Sequence, residues 1–138
     1  MIACIIMFAC EKQNDVTPPT KTQLLTGGST KAWKLQSSIP EDLCPTNIDN
    51  TYFFSADGTF EFDRGTNVES ENCSDIINVF GTWSFKNNEA TLIVIALGPT
   101  GQPASNEPLE LINATISSLS EEELVLTDGM DKAVFRKK

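Results

Sequence analysis

From residue 30 onward the chain consists of short apolar segments separated by glycine, asparagine, aspartate and proline. Many of these segments alternate apolar and polar residues, which is the pattern of a half-buried β-strand. Eight such segments can be distinguished, at about 31–38, 51–56, 59–64, 77–85, 90–97, 109–118, 123–128 and 132–137. Because most of them follow one another as hairpins, and because open sheet edges invite aggregation, we expect an all-β, eight-stranded antiparallel up-and-down barrel. A short N-terminal helical turn is predicted at 21–26, ended by Gly27-Gly28.

The hairpin TYFFSADGTFEFD indicates which residues face the interior. A two-residue loop would mix aromatic and acidic side chains on one face. A three-residue loop, 56–58, instead pairs Phe54 with Phe60 and Tyr52 with Phe62, so that four aromatic rings share one face. A one-residue slip moves every side chain to the other face, so burial should select the second register. This register needs a left-handed residue at the third loop position, where the sequence has glycine.

The next hairpin, VFGTWSFKNNEATLIVIAL, predicts a second register. A two-residue Asn-Asn turn would pair Lys86 with Glu89 and Trp83 with Leu92, which matches opposite charges and apolar residues. The returning strand, 91–97, is apolar on both faces, which predicts a central strand or a covered outer face.

The charge balance excludes several functions. The chain has 19 acidic and 10 basic residues, no histidine, and a formal net charge of −9, which opposes binding to nucleic acid or anionic lipid headgroups. Without histidine there is no Ser-His-Asp or Cys-His arrangement and no histidine-ligated zinc. No two acidic residues are predicted to face inward on facing strands. We therefore expect no catalytic residues, no metal site, no cofactor and no enzymatic activity, although the acidic segment DRGTNVESENCSD leaves calcium binding as an alternative.

The N terminus, MIACIIMFAC, ends an apolar run with Ala9 directly before Cys10. Small residues mark signal cleavage sites. The pattern resembles the lipobox of bacterial lipoproteins, in which a small residue precedes the cysteine that is lipidated. This resemblance predicts a partial lipoprotein signal peptide at 1–9, a flexible tether at 10–23 and a barrel domain at 24–138. The alternative is a short apolar strand with an ordinary cysteine.

Export would place the protein in the cell envelope, anchored to the outer membrane by lipid on Cys10 and facing the periplasm or the cell surface. The early charges in EKQND resemble the surface-export tags of Bacteroidetes-type lipoproteins. In an oxidising compartment we expect Cys44 and Cys73 to form a disulfide, which would contribute roughly 3–4 kcal/mol in the chain-entropy model. The alternative is two buried free thiols.

Several motifs occur in an order that resembles the lipocalin-like domain of bacterial lipoproteins. They are LLTGGSTKAWKLQSS, YFFSADGTFEFD, GTWSF, ATLIV and ISSLSEEELVLTD, and together they cover about residues 22–137. The resemblance implies a small lipocalin-like β-barrel or cupped sheet with a potential apolar cavity. It implies no common ligand.

An eight-stranded barrel has room for packed side chains or for one small ligand. The candidate ligand-binding residues are Trp33, Tyr52, Phe54, Phe62 and Trp83. We therefore expect a monomeric, membrane-anchored binding module for a small apolar or amphipathic ligand. The alternative is that these aromatics only fill the core, and that the protein is a structural or interaction protein of the envelope that contacts another protein or a glycan through its loops.

Overall fold

The computed structural model describes residues 17–39, 50–63, 78–99 and 107–138. One short helix precedes eight strands that form a closed barrel in sequential order, β1 to β8, with every neighbouring pair antiparallel. The predicted fold class is confirmed. The elements are α1 (Lys21–Thr26), β1 (Thr30–Ile39), β2 (Thr51–Ser55), β3 (Thr59–Asp63), β4 (Val79–Lys86), β5 (Thr91–Pro99), β6 (Leu109–Leu119), β7 (Glu123–Asp128) and β8 (Asp131–Lys137).

The two ends of the barrel differ. At one end, here called the helix end, α1 packs beside the tight β2–β3, β4–β5 and β6–β7 turns. At the other, called the loop end, the chain passes from β1 to β2, from β3 to β4, from β5 to β6 and from β7 to β8. This asymmetry follows from the strand order alone, because consecutive antiparallel strands turn at alternate ends.

The β2–β3 hairpin has the predicted register. Phe54 pairs with Phe60 and Tyr52 with Phe62, and Gly58 adopts a left-handed φ of 86° in the three-residue loop. Phe60 is 3% exposed and Phe62 is 8% exposed, so the aromatic face lies inside the barrel. Burial of the aromatic rings therefore selects the register, as expected.

The β4–β5 loop contains four residues, 87–90, so the predicted two-residue turn is wrong. Lys86 pairs with Thr91 and Trp83 with Val94, two residues further along β5 than predicted. The first three loop residues all have positive φ, at 54°, 54° and 62°. The observed register sets a leucine, and not an alanine, opposite the last aromatic residue of β4, which buries more apolar surface. A shift of two residues keeps each side chain on its predicted face.

Helix α1 is short but fastened at both ends. Its N-cap Thr20 forms a capping box with Gln23, and the cap at its other end, Gly27, is left-handed with φ 63°. The indole Nε1 of Trp33 donates a 2.8 Å hydrogen bond to the carbonyl oxygen of Leu25. This buried bond ties the last turn of the helix to β1, so α1 covers the helix end of the barrel.

Some predictions lie outside the described residues. These are the signal peptide at 1–9, lipidation of Cys10 and the pairing of Cys44 with Cys73. Helix α1 begins at Lys21, so its first three residues fall within the segment predicted as a tether. Among the described residues, no helix is long and apolar enough to span a bilayer.

Candidate functional site in the barrel interior

A buried apolar cluster fills the middle of the barrel. Its members come from the helix and from every strand except β6, and their side chains face inward. They are Leu25, Trp33, Phe54, Phe60, Phe62, Trp83, Leu92, Val94, Leu124, Leu126 and Phe135. Much of the interior is therefore packed side chain, and any ligand surface must lie at the boundary of this cluster.

All five candidate residues named from the sequence face the interior, and all of them except Tyr52 belong to the buried cluster. Trp33 and Phe54 are fully buried, and Trp83 is buried near the β2–β3 turn. The Trp83 ring lies 6.2 Å from Phe54, between centroids, and its Nε1 donates to the carbonyl of Ser55 at 2.8 Å. Both indole N–H groups thus have backbone partners. The side chains of Trp33, Phe54 and Trp83 are part of the hydrophobic core.

Tyr52 and Phe62 lie closer to the loop end. The Tyr52 ring sits 4.9 Å from Phe62 and 5.1 Å from Phe135, between centroids, and it keeps partial solvent exposure. Phe62 is buried against it. Of the five candidates, Tyr52 is the one that combines an accessible surface with a polar group.

The accessible part of the interior follows β6. Ile112 and Ala114 pair with the inward-facing Val94 and Leu92 of β5, so their side chains also point inward. Ile116 continues the same face, and all three pack against the core while keeping partial exposure. The residues that alternate with them, Asn113, Thr115 and Ser117, are exposed polar side chains on the outer face. Strand β6 therefore presents an apolar inner surface that solvent can still reach.

The same surface extends across the sheet to β8. Ile116 pairs with Leu126 of β7, which in turn pairs with Ala133 of β8. Leu126 is buried, whereas Ala133 is partly exposed and packs against the core. We call Ile112, Ala114, Ile116 and Ala133 the accessible wall. Two of its four members are alanines, the smallest side chains in this part of the interior.

Lys31 occupies an inward position that the sequence analysis did not single out. Its Nζ donates to the carbonyl of Leu24 at 2.8 Å and lies 4.3 Å from the centroid of the Trp33 ring. Burial, with a smaller contribution from Lys137, lowers the pKa of Lys31. Strand alternation from Trp33 was the available signal, since a residue two positions earlier shares its face. Lys31 therefore ties α1 to β1 and helps to cover the helix end of the barrel.

Within the four described ranges, no three histidine, cysteine, aspartate or glutamate side chains come close enough together to hold a metal ion. The expected absence of a metal and of a cofactor stays a prediction for the whole chain. The interior of the described part is mainly apolar, with Lys31 at the helix end and Tyr52 toward the loop end as its polar groups.

A closed eight-stranded antiparallel barrel with sequential strands, a short helix and an apolar interior is consistent with the lipocalin-like class of proteins. A family model described as a lipocalin-like domain matches residues 30–126, and the chain belongs to this family. Searches of the curated proteins and of the solved structures found no significant match. The lipocalin-like barrel is typically a non-catalytic fold and suggests a ligand-binding module.

Proposed function

We propose that this protein is a non-catalytic binding module that holds one small apolar or amphipathic molecule inside its barrel. The observation that supports the proposal is the accessible wall, an apolar inner surface that stays partly exposed although the barrel is closed around it. Apolar surface of this kind gains free energy when a ligand removes it from water, at about 0.8 kcal/mol for each methylene buried. A chain of roughly eight methylenes would thus contribute about 6 kcal/mol before the entropic cost of binding.

The distribution of polar groups favours an amphipathic ligand that enters tail first. The interior cluster is apolar, and the helix end is covered by α1. Tyr52 lies toward the loop end and remains partly exposed, so its phenol would meet the polar part of a ligand whose tail lies along β6. The buried candidates Trp33, Phe54 and Trp83 would support this surface from behind and would not contact the ligand over a large area.

The cellular setting is a further part of the proposal. The Ala9-Cys10 junction supports lipidation of Cys10 and anchoring of an exported protein to the outer membrane of a Bacteroidetes-type cell. Export would also support a disulfide between Cys44 and Cys73. Intact mass measurement of the protein from its native membrane tests both features: lipidation adds the mass of the acyl chains, and the disulfide removes two hydrogens.

The direct test is a substitution that places a large side chain at the accessible wall. We expect Ala114→Trp to weaken the binding of a fluorescent fatty acid such as cis-parinaric acid at least tenfold, because the indole would occupy the inner face of β6. The matched control is Thr115→Trp, which places the same side chain at the next residue, on the exposed outer face. The control should bind the probe as the unchanged protein does.

Binding is followed by fluorescence titration of the full chain, and circular dichroism verifies that both variants keep the fold. The proposal is overturned if the unchanged protein shows no saturable binding at one probe per chain. Equal affinities of the two folded variants would also contradict it. Either result would favour a solidly packed barrel that contacts another protein or a glycan through its loops.

A further inference from the structure

The exposed large apolar side chains of the described residues all lie at the loop end. Ile39 is 62% exposed, Leu109 63%, Leu111 41% and Met130 94%. Ile39 ends β1, Leu109 and Leu111 open β6, and Met130 lies in the β7–β8 turn. Strands β6, β7, β8 and β1 are consecutive neighbours in the barrel, so the four residues form one arc of its edge. We call this arc the apolar rim.

The apolar rim adjoins the accessible wall on β6. Leu111 directly precedes Ile112, and the pairing of β6 with β5 shifts register at this point. Ile39 pairs with Lys132, whose side chain lies on the other face of β8 from that of its neighbour Ala133. A molecule that leaves the accessible wall through the loop end therefore passes along this rim. Exposed apolar residues that are gathered at one end and joined to an internal apolar surface indicate an interaction site.

Acidic side chains are interleaved with the rim and limit what can cover it. Glu110 lies between Leu109 and Leu111, and Asp131, the first residue of β8, follows Met130. Both acidic residues are exposed, and so is Lys132, a basic residue that pairs with Ile39. A second copy of the chain would bring the same acidic residues face to face, and an anionic lipid surface would be repelled for the same reason. The partner that fits the apolar rim is therefore an apolar surface that carries no net negative charge.

We propose that the apolar rim docks the barrel on a zwitterionic lipid bilayer, from which the ligand enters. The inference rests on the proposed function, because it names the source of the ligand that the accessible wall would hold. A few Leu, Ile and Met side chains inserted at the headgroup boundary provide binding that scales with their buried apolar area. A molecule taken up by an apolar wall dissolves poorly in water, so direct uptake from a bilayer avoids the aqueous step.

The length of the predicted tether permits this orientation. Nine residues lie between Cys10 and Thr20, the N-cap of α1, so the ten steps along a fully extended chain would span at most about 35 Å. Strand β6 has 11 residues, which at about 3.3 Å each and a tilt of about 40° cover roughly 28 Å along the barrel axis. An anchor at Cys10 could therefore lie in the same bilayer that the loop end touches.

The test compares full-chain variants on vesicles by flotation. Ile39→Ser/Met130→Ser removes two rim side chains that lie outside the accessible wall. The control, Ala56→Ser/Ala90→Ser, changes two exposed alanines in turns at the helix end. Because all variants carry the same apolar N terminus, the rim contribution is the difference between them. We expect the rim variant to bind phosphatidylcholine vesicles at least tenfold more weakly than the control.

A second comparison uses vesicles that contain one quarter phosphatidylglycerol. The acidic residues should make the unchanged protein bind these vesicles at least threefold more weakly than pure phosphatidylcholine. Equal flotation of the rim variant and the control, or stronger binding to the anionic vesicles, would overturn the docking proposal.

Titration with cis-parinaric acid without vesicles separates the two proposals. The rim variant should bind the probe as the unchanged protein does. If the unchanged protein fails to bind the probe, the proposed function is wrong, whereas the flotation result still decides the role of the rim.

Discussion

At the scale of single residues, Gly81 shows how closely the barrel wall is packed. A β-bulge lies between Phe80 and Gly81, where β4 pairs with β5. A Cβ atom at Gly81 would overlap the backbone carbonyl of Ile95, which belongs to the neighbouring strand. The φ of Gly81 is not in the left-handed region, so the position needs glycine for space and not for conformational freedom.

We expect Gly81→Ala to lower the free energy of unfolding by about 2–4 kcal/mol, because rigid backbone has to move to admit the methyl group. Urea denaturation of the full chain measures the change. The control is Gly28→Asn, at a left-handed residue with open space around it, which asparagine tolerates. The control should lose less than about 1 kcal/mol. If both variants were equally stable, the close approach at Gly81 would not hold in solution.

The direction of most side chains could be predicted from the sequence, because strand alternation fixes the face on which each residue lies. All five aromatic candidates face inward, as expected. The degree of burial could not be predicted from strand alternation: Trp33 and Phe54 are fully buried, whereas Ala114 is partly exposed. Exposure inside a barrel depends on side chains from strands that are not adjacent, and a single strand's pattern carries no information about them.

At the scale of elements, the two hairpins show what a local pattern can decide. In the β2–β3 hairpin the competing registers differ by one residue, so only one of them buries the aromatic face. In the β4–β5 hairpin the competing registers differ by two residues, and both bury the same face. The register there depends on a loop with three left-handed residues, one of which is Glu89. Glutamate rarely adopts this conformation, so it could not be predicted from the sequence.

Helix α1 has six residues, too few for independent stability, so it depends on tertiary contacts. Leu25 is its fully buried anchor. We expect Leu25→Ala to lower the free energy of unfolding by about 2–5 kcal/mol, through lost burial and the cavity that remains. Met130→Ala, at a highly exposed turn residue, is the control and should change stability by less than about 0.5 kcal/mol.

Thermal and urea unfolding of the full chain measure both variants. A loss of less than 1 kcal/mol in Leu25→Ala would mean that α1 does not close the helix end of the barrel in solution, and a second route to the interior would then exist.

At the scale of the whole molecule, the strand number, their order and the closure of the barrel could be predicted, because eight alternating segments in consecutive hairpins leave few other topologies. The difference between the two ends follows from the same order. The site could be predicted less well. The aromatic residues were predicted to contact a ligand, but most of these large side chains are buried in the core. The smaller aliphatic side chains of β6 remain partly exposed.

We expect a small apolar molecule to reach the inner face of β6. Methyl NMR of the full chain with labelled isoleucines tests it directly, because the described residues offer a matched set on both faces. Ile112 and Ile116 face inward on β6, whereas Ile93 and Ile95 lie on the outer face of β5, where Ile93 is buried and Ile95 is partly exposed. On titration with cis-parinaric acid, the Ile112 and Ile116 methyl signals should shift and saturate together at one probe per chain, while those of Ile93 and Ile95 stay in place. Shifts confined to the outer pair, or none in either pair, would contradict the account.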